Sequence, residues 1–184
     1  MACFVLVHGA WHGGWCWTQL ADRLRRTGHD VHTPTLTGLG DRRHLATPDI
    51  TPDTHVLDIV NLIEANDLQD IILVGHSYGG LIITGVASRM PERLCALVYL
   101  DAVVPQVRAV SATAQRTPAR LAAFRAQLAD GAFMVDPDLF EAWSDDPAIQ
   151  DWLRMKCTPH PIRCLTEGVT LTGREAGVRH RHYL

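Results

Sequence analysis

The stretch DIILVGHSYGGLIITGVA, residues 70–87, decides the fold of this chain. Its apolar run at 71–74 is typical of a buried strand, and the apolar residues from 80 onward can continue as a helix. Between them lies the pattern Gly-x-Ser-x-Gly, which places Ser77 on a tight strand-to-helix turn. Such a turn strains the serine backbone and exposes its hydroxyl above the sheet. The pattern predicts that Ser77 is a nucleophile. The alternative is a chance match around a merely packed serine.

A second motif lies near the amino terminus, where the strand-like run FVLV at 4–7 is followed by HGAW at 8–11. A nucleophile on such a turn needs two backbone N–H groups for the oxyanion. One comes from the turn after the first central strand, and the other from the residue after the nucleophile. These donors are predicted to be Ala10 and Tyr78. Trp11 and His12 adjoin the first donor and are predicted to border the substrate pocket.

Together these segments resemble the α/β-hydrolase fold family, most closely its esterase, methylesterase and hydroxynitrile-lyase branch. The resemblance implies an α/β fold, with a mostly parallel sheet flanked by helices and a helical cap inserted at 106–165. It runs through most of residues 2–105 and continues more weakly through 106–184. The stretches that carry it are FVLVHGAWHGGWCW at 4–17, GLG at 38–40, GHSYGG at 75–80 and LVYLD at 97–101.

Strand-like and helical patterns alternate over the first hundred residues, which favours a parallel sheet with helices on both faces. In the first helix, Trp17, Leu20 and Leu24 mark the expected inner face. Asp53 or Thr54 is expected to cap the second long helix. A length of 184 residues predicts one domain spanning 1–184.

The chain ends at VRHRHYL, residues 178–184, which reads as the start of a strand whose His180 and His182 lie on a sheet edge. Members of the family continue with further strands and carry the catalytic histidine after the last one. The resemblance therefore implies that the C-terminal strands and the general-base histidine are missing here. An uncovered sheet edge would favour association, so a homodimer, domain exchange or poor solubility is expected.

The acid and the base are the least defined parts of the predicted site. Asp101 ends the fourth strand, at the carboxyl edge of the sheet where ligand-facing groups collect. It is the candidate acid, and the alternative is an Asp that caps the following loop. None of the ten histidines occupies the family's position for the base. His44, His55 and His160 are expected in polar loops or at helix starts.

Composition excludes several classes of function. The formal net charge is −3, so nothing suggests a nucleic-acid or anionic-membrane partner. No apolar stretch approaches the roughly 20 residues that span a bilayer. The five cysteines are widely spaced without a CxxC pair, which predicts reduced thiols, a cytoplasmic protein and no structural metal.

The predicted function is hydrolysis of small, fairly apolar carboxylic esters through a Ser77 acyl-enzyme, without cofactor or metal. Loss of the base histidine would impair it. One alternative is a non-catalytic hydrolase homologue that at most binds ligands. Another is a hydroxynitrile-lyase-like enzyme, which needs a cationic group to hold cyanide. The only lysine, Lys156, lies far along in the cap, which argues against that second alternative.

Overall fold

Five parallel strands form the central sheet of the computed structural model, which describes residues 1–105, 117–137 and 140–184. Their order is β2-β1-β3-β4-β7, and every pairing among them is parallel. The predicted α/β fold with a mostly parallel sheet is therefore confirmed. The strands are β1 Cys3–Val7, β2 Asp30–His32, β3 Ile71–His76, β4 Leu94–Leu100, β5 Met134–Val135, β6 His160–Pro161 and β7 His180–Tyr183.

Helices connect the strands of the sheet, as crossovers between parallel neighbours require. In the described residues they are α1 Thr18–Arg26, α2 Pro52–Ala65, α3 Gly79–Arg89, α4 Pro118–Ala129, α5 Phe140–Trp143, α6 Pro147–Lys156 and α7 Ile162–Thr166. Short 3-10 turns occur at Gly14–Trp17, Gly40–Leu45, Pro91–Arg93 and Arg174–Gly177.

The central strands are apolar along their length because both faces of the sheet are covered. Side chains alternate along β1, so that Val5 and Val7 join the cluster that also contains the inner faces of α2 and α3. Leu6 points the other way and packs with Trp17 and Ala21. The predicted apolar runs therefore correspond to strands that are buried on two sides.

Two predictions about helix faces and caps are wrong. Leu20 is 40% exposed, and Ala21 takes the fully buried position of α1. Thr51, not Asp53 or Thr54, is the N-cap of α2. Thr54 completes the capping box, because its Oγ1 accepts a hydrogen bond of 3.2 Å from the N–H of the N-cap residue Thr51.

The stretch 106–165 is helical in much of its described part, and it also contains a two-stranded ribbon that the sequence did not predict. β5 and β6 pair antiparallel, with Val135 opposite His160. Residues 106–116 and 138–139, which belong to the predicted cap, lie outside the described residues. The single domain and its cap remain predictions.

The sheet ends at β7, whose four residues are all exposed. His180 and His182 therefore lie on an edge strand, as the alternating pattern indicated. Among the helices of the described ranges, none combines the length and apolar character needed to cross a membrane.

Candidate active site

Ser77 lies at the junction of β3 and α3 with a left-handed backbone, at φ 51°. Two hydrogen bonds hold this turn against the end of β4. The Ser77 N–H donates to the Leu100 carbonyl at 3.2 Å, and the Val103 N–H donates to the Ser77 carbonyl at 2.9 Å. This conformation strains the serine backbone, and such strain is common at functional sites that hold a side chain in a fixed direction.

The turn closes only because two neighbouring residues lack side chains. A Cβ on Gly75 would lie 2.6 Å from the Gly79 carbonyl oxygen, and a Cβ on Gly79 would lie 2.6 Å from the Val7 carbonyl oxygen. Real Cβ atoms essentially never approach backbone that closely. The glycines of the motif therefore let β3, α3 and β1 meet.

The loop after β1 packs directly against Ser77. A Cβ built on Gly9 would lie 3.2 Å from the Ser77 Cβ. Among the described residues, no protein acceptor takes the N–H of Ala10 or of Tyr78. Buried N–H groups are nearly always paired, so two free ones beside one serine are available to a ligand.

A cavity of about 620 Å³ opens over Ser77. It brings together the predicted residues Ala10, Trp11, His12, Tyr78 and Asp101. The stretch 106–165 contributes aromatic and charged side chains, namely Arg120, Phe124 and Trp143. Aromatic side chains thus form part of the cavity wall.

Other tryptophans lie elsewhere. Trp152 is 41% exposed and packs edge-on against Trp15, with ring centroids 4.9 Å apart. Trp17 is buried in the smaller apolar cluster, as core packing predicts.

Asp101 borders the cavity but is exposed, and its backbone is left-handed at φ 38°. Its N–H donates to the Leu184 carbonyl at 2.8 Å. Asp101 therefore lies beside the cavity because it follows β4 at the carboxyl edge of the sheet. Its role as the acid remains a prediction.

His12 borders the cavity, and aromatic rings surround its imidazole. It stacks on Trp15 and contacts Trp143, with ring centroids 5.3 and 5.2 Å away. Its Nδ1 donates to the Ala10 carbonyl at 2.7 Å, which leaves Nε2 as the acceptor nitrogen. Burial lowers the pKa of His12, so the ring is neutral near pH 7. No hydrogen bond joins an imidazole of the described residues to the Ser77 hydroxyl.

A buried chain of polar groups lies behind the turn. The Tyr78 hydroxyl donates to His55 Nδ1 at 2.9 Å, and His55 Nε2 donates to the Thr37 carbonyl at 2.8 Å. His160 packs edge-on against Tyr78, with ring centroids 5.0 Å apart. His55 lies in the first turn of α2, at a helix start as predicted, whereas His160 lies in β6, so its predicted place in a polar loop or helix start is wrong. Both rings are fully buried. For His55 there was a signal, because it stands four residues before Ile59 on the inner face of α2.

Three side chains of the kinds that bind metal ions lie close together at the β2 edge of the sheet. In the part of the chain that the structure describes, Cys3, Asp30 and His32 bring three possible ligand atoms within 4.8 Å of one another. Asp30 accepts a hydrogen bond from His32 Nε2 at 3.2 Å. Cys3 and Asp30 begin β1 and β2, and His32 is the last residue of β2; none of the three borders the cavity over Ser77.

Known proteins resemble this chain over its whole length. A carbendazim hydrolyzing esterase of Nocardioides sp. (strain SG-4G) is 42% identical over 195 aligned positions, which cover 100% of this chain and 79% of the relative. The plant proteins match over less. Salicylic acid-binding protein 2 of Nicotiana tabacum is 36% identical over 103 residues, and the chain covers only 40% of its length.

Solved structures give the same result. An extracellular alpha/beta-hydrolase from a Paenibacillus species superposes with a TM-score of 0.85 at 28% identity, covering 100% of this chain and 76% of that one. It is described as sharing structural and functional homology with tobacco Salicylic Acid Binding Protein 2. The alpha/beta hydrolase family as a whole matches residues 4–181. The family match extends over nearly the entire chain, and the chain folds into a parallel sheet with a strained serine at the end of β3. This protein is therefore a member of the α/β-hydrolase family with esterase-like relatives.

Proposed function

We propose that this chain is a serine esterase that cleaves small, fairly apolar carboxylic esters. The observation that carries the proposal is the left-handed Ser77 beside the amides of Ala10 and Tyr78, which have no acceptor among the described residues. A strained serine next to free N–H donors is the arrangement that acyl transfer requires.

The reaction follows from these groups. Ser77 Oγ attacks the ester carbonyl carbon, and its proton passes to a base. The carbonyl oxygen takes up negative charge and accepts hydrogen bonds from the two amides. The alcohol then leaves with a proton, water attacks the acyl-enzyme, and the carboxylic acid is released. Each amide of such a pair is typically worth about 3 kcal/mol in the transition state.

The substrate class follows from the cavity and the relatives. An aromatic lining of Trp11, Phe124 and Trp143 favours flat, apolar groups. A volume near 620 Å³ suits a small ligand. Carbendazim, which the Nocardioides relative is named for hydrolysing, is therefore a substrate to test beside simple aromatic esters.

A second candidate function is ligand binding without turnover. It is favoured by one observation, namely that no imidazole of the described residues hydrogen-bonds to the Ser77 hydroxyl. A serine hydroxyl is a weak nucleophile without a positioned base. A hydroxynitrile-lyase reaction has less support, because Lys156 borders a different cavity together with Trp15 and Thr18.

The test is covalent labelling of the 184-residue chain with a fluorophosphonate, read by intact mass and peptide mapping. We expect one adduct on Ser77, absent in Ser77→Ala. It should persist in Ser88→Ala, whose buried hydroxyl instead bonds Thr172 at 2.9 Å. No adduct, or an equal adduct in Ser77→Ala, would contradict the proposal.

Turnover separates the two candidates. Because no imidazole of the described residues hydrogen-bonds to the Ser77 hydroxyl, we expect slow hydrolysis of p-nitrophenyl acetate by an esterase, near the roughly 10³–10⁴-fold over water that an oxyanion site and binding provide. A chain that only binds ligands would show no hydrolysis above the uncatalysed rate. Brisk hydrolysis that is lost in Ser77→Ala would instead identify a working base. His12 would then be the first residue to mutate, because it borders the same cavity with a neutral ring.

A further inference from the structure

The carbonyls on both sides of the Ala10 N–H are held by imidazoles. The Gly9 carbonyl accepts a hydrogen bond of 2.8 Å from His8 Nδ1. The Ala10 carbonyl accepts one of 2.7 Å from His12 Nδ1. Because a trans peptide group is planar, a carbonyl fixed on one side sends the N–H of the same group to the other. The direction of the Ala10 N–H is therefore set by its surroundings.

Trp11, the next residue, is the strained member of this loop. Its backbone is left-handed at φ 64° although it carries a large side chain, a conformation that costs roughly 1–2 kcal/mol. Three hydrogen bonds hold it there. Its N–H donates to His160 Nδ1 at 3.2 Å, its carbonyl accepts from the Thr158 N–H at 2.9 Å, and its indole N–H donates to the Val135 carbonyl at 3.0 Å. All three partners come from residues 135–160.

His160 is an unusual residue for the place it fills. It is fully buried, and its Nδ1 accepts from the Trp11 N–H, so the proton of the neutral ring is on Nε2. That Nε2–H has no hydrogen-bond partner among the described residues. An unpaired buried donor costs about 1–3 kcal/mol, which an apolar side chain of similar size would avoid. The acceptor at Nδ1 is thus the feature that distinguishes this residue from a packing residue.

We propose that His160 is a positioning residue for the oxyanion site. It holds Trp11 in the left-handed conformation and thereby keeps the preceding Ala10 N–H directed at the space above Ser77. His160 does not border the cavity, so it acts through the residues that it contacts; it packs against the Tyr78 ring, and its hydrogen bond goes to the Trp11 N–H. The ribbon of β5 and β6 supplies two of the three contacts to Trp11, which makes cap and oxyanion loop one unit. This role rests on the proposed esterase function.

The test compares variants that keep or remove the acceptor. His160→Asn can place an amide oxygen near the position of Nδ1, whereas His160→Leu has no acceptor. Ile162→Ala is the matched control, because Ile162 is fully buried in the neighbouring turn and takes no part in the contact. The readouts are kcat and KM for p-nitrophenyl acetate and the second-order rate of Ser77 labelling by a fluorophosphonate.

We expect His160→Leu to lower kcat and the labelling rate about 10- to 100-fold, less than the loss of an oxyanion donor outright. KM should change less than about threefold, because the interaction serves the transition state. His160→Asn should recover most of the rate. Ile162→Ala should lower the Tm and keep the rate. A rate in His160→Leu equal to the parent's, or no recovery in a folded His160→Asn, overturns the proposal.

Two further measurements keep the test decisive. If His160→Leu does not fold, His160→Gln replaces it, because its longer side chain carries the amide beyond the position of Nδ1 and should be slow while His160→Asn is fast. Nitrogen-15 NMR of the parent imidazoles should find His160 protonated on Nε2 alone, and a proton on Nδ1 overturns the proposal. A parent chain that does not label at Ser77 overturns the esterase function and, with it, this role. Normal parental labelling that His160→Leu leaves unchanged overturns the role alone.

Discussion

At the scale of single residues, the geometry of the site depends on positions where no side chain fits. Ser77 can adopt φ 51° at the end of β3 because Gly75 and Gly79 let three backbones meet without side chains between them. The Gly79 position is the tightest against β1, where a Cβ would lie 2.6 Å from the Val7 oxygen and 2.9 Å from the His8 oxygen. The motif is thus a packing requirement as much as a chemical one.

Gly79→Ala is expected to destabilise the protein by at least the ~1–3 kcal/mol of an overpacked core, because the clash is with backbone. It should also displace the loop that carries Ala10 and slow the labelling of Ser77. Chemical unfolding and labelling rates measure the two effects. Gly177→Ala is the control, since its Cβ would meet only Pro91 at 3.7 Å. Equal stability of the two variants would contradict the prediction.

Residues in local motifs could be predicted from the sequence, and those joined by distant contacts could not. The positions of Ser77, Ala10 and Tyr78 beside one cavity could be predicted because a short pattern fixes each one's place relative to a strand end. His160 was missed because its partner, Trp11, is 149 residues away. No local period or neighbouring residue type marks such a contact. Asp101 was found by its place at a strand end, yet its exposure could not be inferred.

At the scale of elements, one hydrogen-bonded chain ties α2 to the start of α3. The Tyr78 hydroxyl donates to His55 Nδ1, and His55 donates onward to the Thr37 carbonyl. Val56 and Ile59 on the inner face of α2 are fully buried, as the apolar period of that helix indicates. His55 stands four residues before Ile59 and therefore falls on the same face, but its hydrogen bonds to the Tyr78 hydroxyl and the Thr37 carbonyl join distant residues and carry no local signal.

Tyr78→Phe is expected to cost about 1–3 kcal/mol in the free energy of unfolding, because His55 Nδ1 is left as a buried acceptor without a donor. Tyr99→Phe should cost less. The Tyr99 hydroxyl bonds Thr84 Oγ1 at 2.8 Å, and Thr84 keeps its own bond to the Gly80 carbonyl. Urea unfolding of both variants gives the comparison. A smaller loss for Tyr78→Phe than for Tyr99→Phe would count against this account of the chain.

At the scale of the whole molecule, three buried histidines around the loop after β1, namely His8, His55 and His160, have neutral rings. Burial lowers the pKa of His8 to about 3 and that of His55 to about 4, and it lowers the pKa of His160 as well. For His55, the carboxylate of Asp58 raises the pKa and the guanidinium of Arg42 lowers it, both by less than burial does. Each ring uses a lone pair in a hydrogen bond, so a proton on that nitrogen would break the contact.

These imidazoles make stability depend on pH in one direction. In the unfolded chain a histidine takes up a proton below about pH 6.5, whereas the folded protein keeps His8 and His55 neutral down to about pH 3 and 4. The unfolded state therefore binds more protons, and stability falls as the pH drops below about 6.5. Above that pH these groups contribute no dependence.

We expect urea midpoints to be level from pH 8 to 7 and to fall between pH 6.5 and 5, where most carboxylates are still ionised. Each histidine held neutral contributes up to about 1.4 kcal/mol per pH unit, or about 2 kcal/mol by pH 5. His55→Gln should be less stable than the parent at pH 8 but lose less on acidification, because one titrating group has been removed. A parent midpoint that stays constant down to pH 5 would mean that these imidazoles accept protons in the folded state. The hydrogen bonds that fix the loop around Ala10 would then not persist in solution.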